Sequence, residues 1–170
     1  SDEDLYLKIK KIRNYGQTNR YESHAIGINS RLSEINSAVL RVKLKHLDQF
    51  NAKRDYLAKI YDDYLPLEII RPIRHTKNSQ SSNHLYVIRT RQRDELQEFL
   101  ASKGIETIIH YPIPLHLQEA SHYLGYKEGD FPETEAQAQS IITLPCHQHI
   151  TAAQRNYVVK KIKEFYKWAK

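Results

Sequence analysis

The apolar positions of the chain fall into runs of helical spacing separated by runs that read as strands. The first run, Asp2 to Ile12, places Leu5, Ile9 and Ile12 three or four residues apart. Ser1 or Asp2 stands where a helix N-cap belongs. The stretch "RNYGQTNRYESHAIGINS" that follows has no period and carries two glycines; its tyrosines imply an ordered loop rather than a linker. From Leu32 to Tyr64 the period returns. Leu32, Ile35, Val39, Val42, Phe50, Leu57, Ile60 and Tyr64 share one face, and Leu40, Leu44 and Leu47 widen it. This predicts one long helix with an apolar stripe broad enough to pack on two surfaces, its own domain on one and a second domain or a partner chain on the other. Pro66 and Pro72 punctuate its exit.

The second half is shorter in its elements. "HTKNSQSSNH", His75 to His84, reads as a polar loop, and "LYVIRT", Leu85 to Thr90, as a strand. "RDELQEFLASKGI" is a helix closed by Gly104 as a C-terminal cap, and "IETIIHY" is a second strand. Strand, helix and strand in that order predict a small α/β layer. "PIPLHLQEASHYLGY" turns at Pro112 and Pro114 before a short helix, and "FPETEAQAQSII" opens another helix with Pro132 in its first turn. "TLPCHQHI" reads as a short strand or loop. Thr151 and Gln154 form a capping box, which starts a helix with Val158, Ile162, Phe165 and Ala169 on one face.

Composition narrows the function classes. An apolar content of 40% in 170 residues supports a packed core. The net charge of +6 permits phosphate binding without demanding nucleic acid, because 20 acids are interspersed among 26 Lys and Arg. The basic clusters "KIKKIR" and "KKIKEFYKWAK" are interleaved with apolar residues at helical spacing, so each reads first as a solvated helix face. The single cysteine, Cys146, excludes an internal disulfide, and no apolar run reaches the length of a membrane span. The chain contains no Met and opens in a helix-bearing segment, which suggests a fragment or a processed chain.

Candidate chemistry is sparse. Nine histidines invite a metal reading, with His110 and His116 in "HYPIPLH" and His147 and His149 in "CHQH", but no HExxH or paired cysteine set accompanies them. A Cys146-based triad lacks any feature fixing its members. No phosphate-cradling glycine motif of the GxGxxG or GxxxxGK type is present. Two stretches stand out. In "GINSR", Asn29 or Ser30 caps the following helix and Gly27 permits an awkward backbone angle; alternatively the helix start, Asn29 and Arg31 together attract a phosphate. In "HYPIPLHLQ" two prolines stiffen a strand exit, either as a plain turn or as the edge of a site for a polar, anionic ligand.

These stretches agree with one family. "RNYG", "GINSRLSEINSAVLRVKLKHLDQFNAKR", "IHYPIPLHLQEA", "GDFPETE" and "LPCH" occur in an order that resembles the C-terminal half of the DegT/DnrJ/EryC1/StrS sugar aminotransferases. The resemblance covers nearly the whole chain. It implies the small C-terminal α/β (α+β) domain of the aspartate-aminotransferase-like, pyridoxal-phosphate-dependent transferase fold, preceded by a long interdomain helix. The expected divisions are residues 1–31, carrying the GxNxR motif, 32–65 as the connecting helix, and 66–170 as the small domain.

The resemblance also implies a cytoplasmic homodimeric enzyme that moves an amino group, usually from glutamate, onto a nucleotide-linked keto sugar for surface polysaccharide or deoxyamino-sugar synthesis. Its cofactor would be pyridoxal 5'-phosphate, with Asn29 reaching across the dimer to the cofactor phosphate and Arg31 beside it. His110, Tyr111 and His116 would lie at the nucleotide-sugar pocket. The family's Schiff-base lysine lies upstream of "RNYG", so no catalytic residue is assigned here, and these residues alone are expected to be inactive. No metal and no membrane are implied. The rivals are a stand-alone interaction module with the same fold and, less favoured, a basic nucleic-acid binder.

Overall fold

Helix capping and strand pairing account for most of the architecture seen in the computed structural model, which describes residues 2–66, 69 and 78–168. Ser1, Pro72, His75 to Lys77 of the polar loop, and Ala169 lie outside the described residues. The chain divides into two units, Ser1–Leu47 and Asp48–Lys170.

In the first unit, α1 (Glu3–Ile12) is opened by Asp2, whose carboxylate accepts from Leu5 N at 3.0 Å. A small antiparallel hairpin follows, β1 (Gln17–Asn19) with β2 (Glu22–Ser23), inside what the sequence presents as loop. Next comes α2 (Glu34–Leu44). Its cap is Ser33, whose hydroxyl accepts from Asn36 N at 3.2 Å. Asn29 and Ser30 therefore do not cap a helix; they precede it by several residues of extended chain. Among the described residues of this unit no apolar side chain is buried: Leu5, Ile9, Ile35 and Leu44 are all exposed.

The expected continuous helix over 32–65 is also corrected. α2 ends at Lys45, where Lys45 N and His46 N donate back three residues to Val42 O and Lys43 O. This tightening interrupts the i→i−4 ladder, and a separate helix α3 (Leu47–Tyr64) begins. The divide between the two units falls at this break rather than at residues 31 and 65.

The second unit is built on a narrow antiparallel pair, β3 (Tyr86–Arg89) with β4 (Ile141–Leu144), in the register Tyr86↔Leu144 to Arg89↔Ile141. Ile108 adds a single bridge to Thr143 from the other side, so β4 is central. The "IETIIHY" strand shrinks to this one bridge. Ile141 and Ile142, expected in a helix, belong to β4 because α5 (Pro132–Ser140) ends before them. α4 (Arg93–Ser102) closes at Gly104, whose φ is +73°. α6 (Ala152–Trp168) opens on the Thr151–Gln154 capping box, with Gln154 N to Thr151 Oγ1 at 3.2 Å and Thr151 N to Gln154 Oε1 at 2.9 Å.

Leu57 and Tyr61 of α3, Ile88 of β3, Leu96 and Leu100 of α4, Ile142 and Leu144 of β4, and Ile162 and Phe165 of α6 converge in one core. Tyr61 is fully buried, its ring 4.9 Å from that of Tyr86, and its hydroxyl donates to Pro145 O at 2.9 Å. This contact ties α3 to the segment leaving β4. Burial holds the Tyr61 phenol well above its usual range.

Candidate functional site

The segment Gly27 to Arg31 lies against the end of α1 as a short strand. Ile28 N donates to Ile12 O at 2.8 Å, Tyr15 N to Ile28 O at 3.1 Å, and Ser30 N to Arg13 O at 2.9 Å. Asn14 and Asn29 face each other as an antiparallel bridge. Such closeness requires the two glycines. A Cβ on Gly27 would meet Gly16 N at 2.1 Å and Ile12 O at 2.6 Å. One on Gly16, where φ is +71°, would meet Ala25 O at 1.8 Å.

Side chains complete this clasp. Arg13 Nε donates to Ser30 O at 3.0 Å, Arg31 donates to Asn14 Oδ1, and the Arg31 guanidinium lies 5.6 Å over the Tyr15 ring. Arg13 and Asn14 of "RNYG" therefore hold the "GINSR" stretch in place. Sequence reading quoted that tetrapeptide without assigning those residues a role. The Asn29 side chain is exposed and makes no hydrogen bond among the described residues, so its amide is available to a ligand. Beside the clasp, Lys10, Lys11, Arg13 and Arg31 line a cavity of about 480 Å³ with Asn14 and Thr18. Cations and amides of this kind fit a phosphate.

The "HYPIPLHLQ" stretch separates into two clusters. His110 Nδ1 is hydrogen-bonded to Thr143 Oγ1 at 2.9 Å, at the bridge between Ile108 and β4, and lines a cavity of about 640 Å³ with His84 and His147. The His110 and Tyr111 rings meet edge to face at 5.5 Å, and Tyr111 is 72% exposed. His116 is placed otherwise. Its residue is 9% exposed, its ring lies 4.8 Å from that of Phe131, and Nε2 donates to Glu135 Oε1 at 2.9 Å. Burial opposes the Glu135 charge, but the N–H of Gly129, the His116 ring and the N–H of Phe131 outweigh it and hold the carboxyl below its usual range. The sequence signal for Glu135 was its place in "GDFPETE", read there as a helix start.

Cys146 is buried, and burial pushes its thiol up to about 11 against the nearby Arg54, so it serves packing rather than nucleophilic attack. His147 and His149 lie 6.2 Å apart between ring centroids, and among the described residues no three His, Cys, Asp or Glu side chains gather as a metal set. No helix of the described residues is long and apolar enough to cross a membrane.

The clasp and the His110–Thr143 cluster are built from the motif stretches quoted above, and residues 1–163 match the family model "DegT/DnrJ/EryC1/StrS aminotransferase family". The chain belongs to this family. It is 40% identical over 98% of its length to the "Pleiotropic regulatory protein" of Geobacillus stearothermophilus, covering 46% of that relative. It is 35% identical over 96% of its length to the "dTDP-3-amino-3,4,6-trideoxy-alpha-D-glucose transaminase" of Streptomyces venezuelae, covering 44%. The crystal structure of S. venezuelae DesV superposes with a TM-score of 0.89 at 36% identity, over 96% of this chain and 44% of that one. The chain thus spans under half the length of the curated relatives it matches, and has the fold of the corresponding part of these aminotransferases.

Proposed function

We propose that the protein carrying this chain is a pyridoxal-phosphate-dependent aminotransferase that transfers an amino group, with glutamate as donor, onto a nucleotide-linked keto sugar. Relatives from S. venezuelae and Aneurinibacillus thermoaerophilus are named as transaminases of dTDP-linked amino deoxysugars, and one from Pseudomonas aeruginosa as an aminotransferase of a UDP-linked 3-oxo sugar acid. The cofactor would supply the carbonyl and electron-sink chemistry of amino transfer. The residues described here hold and orient.

The observation that carries the reading is the clasp: of its polar side chains, Arg13, Asn14 and Arg31 are engaged with one another or with backbone, while the Asn29 amide is left open beside a cationic cavity. Asn29 and Arg31 would contact the cofactor phosphate of a partner subunit. A homodimer accords with the exposed apolar side chains of the first unit, among them Ile26 at 98% and Ile35 at 78%, which need cover. His110 and Tyr111 would line the sugar-nucleotide pocket, and His116, through Glu135, would support the loop beside them. A cytoplasmic location accords with the single buried thiol.

The test is Asn29→Ala in the full-length protein, read as cofactor retained after dialysis and as visible absorbance of the bound cofactor. Retention is expected to fall about tenfold or more, the loss of a hydrogen bond to a charged group. Unchanged retention in a folded variant removes Asn29 from the site.

A further inference from the structure

The basic face of α6 lines neither the cavity beside the clasp nor the one beside His110. Arg155, Lys160, Lys163 and Lys167 of α6 line a groove of about 790 Å³ between α6 and α3. Across the groove stand Tyr56, Ile60 and Tyr64, spaced four residues apart on α3. Glu164 also borders it, but its carboxylate is taken by Lys161 at 2.8 Å. Among the described residues no carboxylate pairs with the four groove cations. Glu164 also lies in the field of Lys160, so an apolar floor carries a rim with four cations to one carboxylate, a net positive charge.

We infer that this groove binds an acidic amphipathic helix of a partner polypeptide. The lining runs about 12 Å along α3 and about 18 Å along α6, so a partner helix of roughly three turns matches it. Such a helix would lay its aliphatic residues on Ile60 and the tyrosine edges and present carboxylates to the cationic rim. Charge complementarity selects acidic flanks. The tyrosines also argue against a single-stranded nucleic acid. One face of each ring already carries a cation, Arg155 over Tyr56 at 5.8 Å and Lys163 over Tyr64 at 5.4 Å, so that face is not open to a stacking base. A membrane surface would meet a projecting basic face rather than a groove.

The experiment uses the full-length protein and a fluorescein-labelled 14-residue peptide with Leu on one helical face and Glu on its flanks, followed by fluorescence anisotropy. Saturable binding at about 50 mM salt is expected, weakening at about 500 mM. Binding should weaken about tenfold or more in Lys160→Glu/Lys163→Glu. Lys167→Glu, at an exposed position, should weaken it in a variant whose thermal unfolding is unchanged. Absence of binding, equal binding by the charge-reversed variants, or preferential binding of an oligothymidylate at the same site overturns the inference.

Discussion

Gly27→Ala tests the clasp directly, because the added methyl has nowhere to go. Its Cβ would stand 2.1 Å from Gly16 N. Reaching the edge of ordinary van der Waals contact at 3.4 Å requires the two segments to part by about 1.3 Å. That displacement stretches the bonds Ile28 N to Ile12 O, Ser30 N to Arg13 O and Tyr15 N to Ile28 O, now 2.8, 2.9 and 3.1 Å, beyond hydrogen-bonding range. At about 0.5–1.5 kcal/mol net for each of the three bonds, local opening becomes easier by about 1.5–4.5 kcal/mol. Amide exchange at Ile28 and Ser30 should then quicken by between one and three decades. Asn29 sits between those two residues, so the cofactor phosphate proposed to meet its amide should be held less tightly as well.

Both quantities are measured on full-length protein, exchange by mass spectrometry and cofactor affinity by titration. Exchange and affinity both unchanged would refute the clasp. Faster exchange with unchanged affinity would leave the clasp standing and remove Asn29 from cofactor binding.

Two further outcomes follow from the second unit. Glu135 has a folded pKa below its unfolded value of 4.5, so the stability it contributes is present above about pH 4.5 and is lost as pH falls through the depressed folded value. A melting series across that acid range should show the decline, and Glu135→Gln should flatten it; an identical acid limb in the variant would sink the assignment. Tyr61→Phe removes, from a fully buried ring, the hydroxyl that donates to the half-buried Pro145 carbonyl. A cost of about 1–2 kcal/mol is expected, seen in calorimetry as a Tm lower by about 2–8 °C. An unchanged Tm would show the bond to be dispensable.

Local signals were legible where a side chain and the backbone settle the matter within one turn. The Asp2 cap, Gly104 at the end of α4 and the Thr151–Gln154 box all rest on bonds or angles within three residues, and each stands in the structure as the sequence implies. Long-range pairing was not legible. "IETIIHY" has the composition of a strand, yet only Ile108 finds a partner, because Thr143 offers one bridge there and β4 spends its other edge on β3. The break at Lys45 and His46 escaped detection for a related reason. No Gly or Pro marks it, and the apolar stripe continues through it, so periodicity reports one helix where backbone bonding makes two.

At the candidate site, the sequence marks the stretch Gly27 to Arg31 but does not say which of its groups are free. Asn29 and Arg31 looked alike, two polar residues with a claim on a phosphate. The structure separates them by what each already touches. Arg31 spends its guanidinium on Asn14 and on the face of Tyr15, so its charge is fixed in direction before any ligand arrives; Asn29 spends nothing. Arg31 lines the cavity as an oriented cation, and the Asn29 amide, on the strand bridged to Asn14, stays unengaged. His116 shows the converse. Its motif suggested a ligand contact, but its ring is buried and committed to Glu135, and engaging a ligand through Nε2 would expose a carboxylate that two backbone N–H groups and this ring together hold in place. Replacing either arginine of the clasp should thus disturb the direction of the site, whereas replacing His116 should disturb the loop that carries it.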